Sequence, residues 1–289
     1  MTGSQASMLP DGRRLHLNHG PIDLIIEAVG EPAEVDRSYR QATDRFASVL
    51  EELVRELPAL RFPASARQRA FAGSTARRME RAVCLFAGDT FITPMAAVAG
   101  SVADEVMAAQ LKGRCLRRAY ANNGGDIALF LSDGEETTAA IAGNGHGFAD
   151  RLTIRAGDPV RGIATSGWRG RSHSLGIADA VTVLARDAAT ADAAATLIAN
   201  AVDLPGHPAI SRQPANLLSP DSDLGAHLVT TGVGPLNDVE AITALERGLS
   251  VAKDFTARGL IVSAALFLNG HSRLCGALAQ HSQRSLEHA

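Results

Sequence analysis

The chain has 289 residues, of which 46% are hydrophobic and 20% charged, a composition typical of a globular protein with one large core or two coupled smaller ones. Its formal net charge is −3, and no basic stripe interleaved with aromatic residues occurs. These features exclude extensive disorder and give no electrostatic support for nucleic acid binding.

The first third of the chain predicts a hairpin followed by three helices. Residues 1–12 form a polar leader that we expect to be disordered, and the apolar patterns of 14–18 and 22–29 predict two paired strands. Helical spacing predicts a helix over 34–57, closed by Pro58, and an arginine-rich helix over 66–86. Thr93 as the cap and Pro94 at the first helical position predict a helix of small residues that reaches residue 109.

The rest of the chain predicts a β-rich middle and a mixed C-terminal part. The strands of the middle lie at 116–121, 127–131, 137–142, 152–154 and 162–165. A buried strand at 178–185 precedes an alanine-rich helix at 190–202, and residues 205–225 predict a mobile loop or lid. A helix at 238–258 precedes a C-terminal hairpin whose turn is Asn269-Gly270. We therefore predict an α+β fold, with a largely antiparallel sheet and packed helices, in one domain of residues 1–289.

The chain lacks signals for export or membrane insertion. Its first twenty residues have no apolar stretch of signal-peptide type, and no run of 18 apolar residues follows. The three cysteines, Cys84, Cys115 and Cys275, are odd in number and include no CxxC pair. We expect a cytoplasmic protein that is not bound to a membrane.

Two segments in the first half combine glycine with polar side chains. Gly100 lies on the small-residue helix, where it is either a packing glycine or a ligand contact. The second segment places two glycines between strands and comprises Asn123, Gly124, Gly125 and Asp126. Such a bend can present main-chain N–H groups to an anion or a flat ring, although a plain hairpin turn explains it equally well.

Two further segments carry side chains that could act in catalysis or bind a ligand or a metal. The loop after residue 165 contains Ser166, Gly167, Trp168, Arg169, Arg171 and His173. Its arginines could bind phosphate, its tryptophan could stack on a ring and its histidine could act as a base, or the histidine is a surface residue. Asp192 and Thr196 lie four apart on the alanine-rich helix, so one face carries two oxygen ligands suited to Mg²⁺ or Ca²⁺. Helix starts often contain such pairs without a metal.

In this order, the four segments and the valine-rich strand around residues 181–183 resemble the motif series of the ApbE family, the FAD:protein FMN transferases. The agreement covers roughly residues 94–200. It implies an ApbE-like, T-fold-like fold with Mg²⁺ held by Asp192, Thr196 and a carbonyl near Val98. It also implies FAD as the ligand whose pyrophosphate the cation grips, and an acceptor protein whose threonine receives FMN while AMP leaves.

Two departures separate the chain from the transferases. Ala99 stands where the family has a lysine, and residues 171–176 replace the family's His-Ile-x-Asp-Pro-x-Thr-Gly segment, so His173 is only a candidate for the histidine's role. The pattern is similar to a shorter, functionally uncharacterised ApbE-like branch, which shares Pro-Met-Ala-Ala-Val-Ala-Gly, Asn-Gly-Gly-Asp and Ala-Thr-Ser-Gly.

Three functional hypotheses remain open at this point. In the first, the chain is a Mg²⁺-dependent enzyme that either transfers FMN from FAD to a threonine or hydrolyses the FAD pyrophosphate. In the second, it binds a flavin, another nucleotide or a small metabolite without catalysing a reaction. The third hypothesis is a different enzyme in the same pocket, using His173 with Arg169 or Arg171 on an anionic substrate. Faces rich in small residues also leave a homo-oligomer open.

Overall fold

A computed structural model of the chain describes residues 3–88, 90–140 and 151–276. The fold is α+β with antiparallel strand pairing, as predicted. The helices are α1 Pro32–Leu60, α2 Ser74–Cys84, a 3-10 turn Pro94–Ala97, α3 Val98–Leu111, α4 Ala188–Ala201, α5 Ala215–Leu218 and α6 Asp238–Ala257. The strands are β1 Gln5–Met8, β2 Leu15–His19, β3 Ile22–Gly30, β4 Leu116–Asn123, β5 Asp126–Leu131, β6 Glu136–Ala140, β7 Arg151–Arg155, β8 Gly162–Ser166, β9 Ala180–Ala185, β10 Ile210–Pro214, β11 Leu228–Val233, β12 Ser263–Leu268 and β13 His271–Gly276.

The described residues divide into two compact units, and the single domain over residues 1–289 stays a prediction. The first unit comprises the described residues of 1–139, 153–164 and 186–192. The second comprises the described residues of 140–152, 165–185 and 193–289. The first turn of α4 therefore belongs to the first unit, and the remainder of that helix to the second.

In the first unit, antiparallel strands form a sheet in the order β1-β2-β3-β4-β5-β8. Strand β3 alternates buried Leu24 and Ile26 with more exposed neighbours, so one face of the sheet carries the core. Helices α1 and α3 pack on that face, where Phe46 of α1 and Val106 of α3 are almost completely buried.

The N-terminal leader differs from the predicted disorder. Strand β1 pairs antiparallel with β2 from Gln5 opposite Asn18 to Met8 opposite Leu15. All four residues of β1 are exposed. Because neither face of the strand is buried, the sequence carries no alternation of polar and apolar residues that would have predicted it.

Helix α2 begins eight residues later than the arginine-rich pattern predicted. The preceding segment is held by carboxylates in a non-helical conformation: Glu80 accepts from the backbone and guanidinium of Arg69, at 2.9 Å for both N and Nε. Glu56 accepts from the backbone N–H groups of Ala72 at 2.7 Å and Gly73 at 2.9 Å. These side chains satisfy backbone donors that a longer helix would have used.

In the second unit, β9, β12 and β13 pair antiparallel, and α6 packs against β12 and β13. Asn269 and Gly270 have φ of 49° and 79°, which confirms the predicted hairpin turn. The predicted loop at 205–225 contains β10 and α5, and β10 pairs with β11. The predicted strand end at 141–142 and hairpin end at 277–278 lie outside the described residues.

No helix in the part of the chain that the structure describes is long and apolar enough to cross a membrane.

Candidate functional site

The start of α3 presents backbone N–H groups at a tightly packed position. The Thr93 hydroxyl accepts from the N–H of Met95 at 3.3 Å, and Pro94 opens the 3-10 turn that leads into α3. The cap and the proline occupy the predicted positions. N–H groups in the first turn of an α-helix have no carbonyl partner within that helix, so they are available to other acceptors.

Asp192 provides such an acceptor. Its Oδ2 accepts from the N–H of Gly100, the third residue of α3, at 3.0 Å. A Cβ at position 100 would lie 2.2 Å from the carbonyl oxygen of Ala188, so the two backbones touch at this point. Gly100 therefore serves close helix packing, and that packing brings two of the sequence segments together across 92 residues.

An aspartate of α3 likewise accepts hydrogen bonds from the first turn of α4. Oδ1 and Oδ2 of Asp104 accept from the N–H groups of Ala188 at 3.1 Å and Ala189 at 2.9 Å. Asp187 caps the helix itself, accepting from the N–H of Thr190 at 2.7 Å. A Cβ on Gly162 would lie 2.1 Å from the carbonyl oxygen of Asp187, so β8 also approaches this helix end closely.

The glycine pair lies in the tight turn between β4 and β5. Gly124 and Gly125 have φ of 66° and 115°, values that favour glycine. Asn123 pairs with Asp126 across the turn, and its Nδ2 donates to the carbonyl oxygen of Ala99 at 3.1 Å. The turn is thus a hairpin, and its asparagine is joined to the start of α3.

Two carboxyl groups in this region, those of Asp192 and Asp104, have raised pKa values. Burial raises the pKa of Asp192 well above its ordinary value, the nearby charge of Asp126 raises it further, and the N–H groups of Gly100 and Ala99 oppose the shift. Burial, together with the charge of Asp187, raises the pKa of Asp104 to about 7.

A bound cation would relieve part of this repulsion. Among the described residues, no group of three or more His, Cys, Asp and Glu side chains has an arrangement suited to a metal. A cation beside Asp192 would therefore take some of its ligands from backbone carbonyls, hydroxyls, water or a bound phosphate.

The loop that carries the other predicted residues belongs to the second unit. Its backbone is held at Trp168, whose N–H donates to the carbonyl of Ala178 at 3.0 Å, and at Gly167, where a Cβ would lie 2.5 Å from the carbonyl oxygen of Asp179. The Arg169 guanidinium bonds Asp179 at 2.8 Å and lies 5.1 Å from the Trp168 ring centre. Arg169 is therefore already paired with a carboxylate.

The remaining members of the predicted set have less defined surroundings. His173 lies 3.2 Å from the hydroxyl of Ser219, measured from Nε2 to Oγ, while Arg171 is exposed and Ser166 partly exposed. Thr196 stands one turn beyond Asp192 on α4, in the second unit, and Val98 is the first residue of α3. The catalytic role of His173 and the ligand roles of Thr196 and Val98 stay predictions.

The sequence analysis did not identify Asp187 and Gly162 as residues that shape the start of α4. Asp187 carried a usable signal, because an aspartate directly before an alanine-rich helix is a typical cap. Asp104 follows Gly100 by four residues, which places both on one helical face. The close approach at Gly162 had no local signal, since it depends on a helix start 25 residues later.

A family model described as AbpE bacteria matches residues 6–274. The chain belongs to this family. The predicted resemblance to a shorter, uncharacterised ApbE-like branch is confirmed. Similar curated proteins include a UPF0280 protein of Methanothermobacter thermautotrophicus, 42% identical over 117 residues, which are 39% of this chain and 44% of that protein. A UPF0280 protein of Methanothrix thermoacetophila is 39% identical over 127 residues, covering 44% and 51% respectively. The chain thus matches about half the length of these relatives.

Solved structures of flavin transferases also align with the AbpE-family chain. The apo form of Pseudomonas stutzeri flavinyl transferase ApbE aligns over 97% of this chain and 98% of its own, with 13% identity and a TM-score of 0.49. Flavin transferase ApbE from Vibrio cholerae aligns over 96% and 99%, with 14% identity and a TM-score of 0.42.

Proposed function

We propose that this chain binds FAD with Mg²⁺ at Asp192 and acts on the FAD pyrophosphate. The observation that carries the proposal is the hydrogen bond from the Gly100 N–H to Asp192. It joins two of the segments on which the ApbE resemblance rests, and the Asn123 amide joins a third to the same helix start.

The charges in the first unit suit a divalent cation. Asp192 is closely surrounded by protein, and the charge of Asp126 opposes its ionisation. A carboxylate in such a position is costly unless a cation or hydrogen bonds compensate it. Mg²⁺ prefers oxygen ligands. We propose Asp192 and Asp126 as its carboxylate ligands in the first unit, with the Val98 carbonyl as a further ligand that the family resemblance implies.

The bound cation would supply Lewis-acid polarisation of a phosphate oxygen and a template for the pyrophosphate. The chain itself would supply orientation. The positive end of α3 favours an anionic group nearby. The Gly124-Gly125 turn adds no side chain that would block a ligand. The hydroxyl of an acceptor threonine or a water molecule held in line would form the new bond to the FMN phosphorus, the pyrophosphate bond would break with AMP as the leaving group, and the nucleophile's proton would be released.

A second candidate, a flavin-binding protein without chemistry, is favoured by two specific features. Asp192 and Asp104 both satisfy helix N-termini, so their burial has a structural explanation. Ala99 also provides no amine where the transferases have a lysine. The third hypothesis, an enzyme that uses His173 and an arginine, loses support at Arg169 because this arginine pairs with Asp179.

The test is AMP release from FAD in the presence of Mg²⁺ or EDTA, with and without a threonine-bearing acceptor peptide. We expect Mg²⁺-dependent AMP that falls more than about 100-fold in Asp192→Asn, because loss of a ligand exceeds the 10–100-fold typical of its surrounding partners. Asp36→Asn, an exposed position on α1, is the control and should retain activity. The mass of the peptide separates transfer from hydrolysis.

The other outcomes discriminate between the candidates. Thermal protection by FAD without AMP release would favour the binding protein. If FAD gave neither AMP release nor thermal protection, the proposal would be wrong. A screen of anionic metabolites as substrates would then test the hypothesis that His173 acts in a different reaction.

A further inference from the structure

We infer that Asp104 is the positioning residue of the Asp192 site: it holds the first turn of α4 against the start of α3 and so fixes where the Asp192 carboxylate lies. The inference rests on the proposed function for its consequence in catalysis. Its structural part can be tested without any ligand.

The contact between the two helices is reciprocal. Asp104 follows Gly100 by four residues on α3, and Asp192 follows Ala188 by four residues on α4. Gly100 and Ala188 meet at the crossing, where a Cβ at position 100 would lie 2.2 Å from the Ala188 oxygen. Each aspartate accepts from the N–H of the contact residue on the other helix, at 3.0 Å for Asp192 and 3.1 Å for Asp104.

Helix geometry explains why this arrangement works. Residues four apart lie on one face of a helix, one turn from each other, so each helix presents its small contact residue and its carboxylate to the same neighbour. The carboxyl oxygens meet the positive ends of the helices and accept hydrogen bonds from the N–H groups there. Without Asp104, the N–H groups of Ala188 and Ala189 lose their acceptors, and only one half of the reciprocal contact remains.

Asp187 offers a matched control on the same helix end. It also accepts from a backbone N–H of α4, that of Thr190 at 2.7 Å, but it precedes the helix and is exposed. Removal of Asp187 therefore costs α4 a capping bond and leaves in place the hydrogen bonds that the N–H groups of Ala188 and Ala189 donate to Asp104. A general loss of helix stability would follow from either substitution, whereas a displaced Asp192 should follow only from the loss of Asp104.

The first measurement is the hydrogen exchange rate of the Gly100 amide by NMR in the ligand-free protein. We expect Asp104→Ala to accelerate exchange at Gly100 by about tenfold, because loss of the two hydrogen bonds from Ala188 and Ala189 loosens the helix contact that holds Asp192 against the Gly100 N–H. Asp187→Ala should change it much less. The amide of Ala121, on the core strand β4, is the internal reference that reports global unfolding. Asp104→Asn, which keeps one acceptor oxygen, should give an intermediate rate and serves as the test variant if the alanine variant does not fold.

The second measurement is the Mg²⁺ concentration that gives half-maximal thermal protection by FAD. Asp104→Ala should raise it by roughly 10–100-fold, as loss of a partner that orients a ligand does, and Asp187→Ala should leave it close to the wild-type value. An equal rise of this Mg²⁺ concentration in both variants would mean that Asp104 only stabilises the protein in general, and it would overturn the inference.

The two measurements separate the inference from the proposed function. Unchanged Gly100 exchange in Asp104→Ala, relative to Ala121, would overturn the positioning role whatever FAD does. The second case is faster Gly100 exchange in Asp104→Ala together with no Mg²⁺-dependent FAD protection of the wild-type protein. It would support the positioning of Asp192 and reject the proposed function.

Discussion

At the residue scale, Gly100 shows how one absent side chain permits a long-range contact. A Cβ at this position would lie 2.2 Å from the oxygen, 2.5 Å from the carbonyl carbon and 2.9 Å from the next nitrogen of the α4 backbone. These are backbone atoms, so they cannot move aside as the end of a flexible side chain could. The sequence left packing and ligand contact open for Gly100, and the structure shows that packing requires a glycine.

We expect Gly100→Ala to lower the free energy of unfolding by at least about 1–3 kcal/mol, because the added methyl group forces the two helix ends apart. Chemical denaturation with urea measures this directly. Gly157→Ala is the matched control, since a Cβ there meets nothing within 4 Å and the position lies in the same unit. A variant at position 100 as stable as the control would show that the helices do not approach this closely.

The raised pKa of Asp104 predicts a pH dependence of stability. Its pKa rises from 3.8 to about 7 in the folded protein, so between these values the folded state keeps a proton that the unfolded state has released. The stabilising contribution of that proton is complete below about pH 4 and is lost as the pH rises through about 7.

The comparison of wild-type protein with Asp104→Asn tests this sign. Relative to the variant, the wild-type free energy of unfolding should fall between pH 4 and 7, with a slope of at most about 1.4 kcal/mol per pH unit. Urea titrations across this range give the difference, in which titratable groups shared by both proteins cancel. A relative stability that rises with pH would show that the N–H groups of Ala188 and Ala189 outweigh burial.

At the scale of elements, a charged cluster joins the three helices of the first unit. Glu105 of α3 is almost fully buried and accepts from Arg45 of α1 at 2.9 Å, Arg78 of α2 at 2.7 Å and the Ser74 hydroxyl at 2.5 Å. Burial alone would raise the pKa of Glu105, but the hydrogen bonds from Ser74, Arg78 and Arg45 outweigh it and hold the pKa below its ordinary value. Arg78, one of the arginines in the predicted α2 pattern, therefore has a structural role.

We expect Glu105→Gln to lower the free energy of unfolding by about 1–3 kcal/mol, because it removes the carboxylate that Arg78 and Arg45 share, while Arg45 keeps its pair with Glu52. The control is Glu136→Gln, which removes an exposed ion pair with Arg155 at 3.6 Å and should cost no more than about 1 kcal/mol. Thermal or urea denaturation of both variants measures the contrast. Similar costs would mean that the Glu105 cluster is dispensable.

At the scale of the whole molecule, the candidate site residues fall into two groups, one in each compact unit. Their spacing along the sequence does not reveal this division. Gly100, Asn123, Asp126 and Asp192 belong to the first unit, whereas His173 and Trp168 belong to the second. Within the first group, hydrogen bonds connect α3 to α4 and to the β4–β5 turn. The test of FAD chemistry therefore centres on Asp192, where the interactions of the first unit converge.

Several features followed from the sequence alone because their causes are local. The cap at Thr93, the helix of 238–257 and the Asn269-Gly270 turn depend on residues within a few positions of each other, and the structure confirms them. Family membership was also readable, since an ordered series of short motifs survives in the chain.

Tertiary structure decided the features whose partners lie far along the chain. β1 exists because β2 offers it an edge, and α2 starts at Ser74 because Glu80 and Glu56 hold the residues before it. The meeting of Gly100 with Asp192 depends on close packing of two helix ends, 92 residues apart. Propensity and periodicity report only the neighbourhood of a residue, whereas these contacts arise from hydrogen-bond donors and acceptors that folding alone brings into reach.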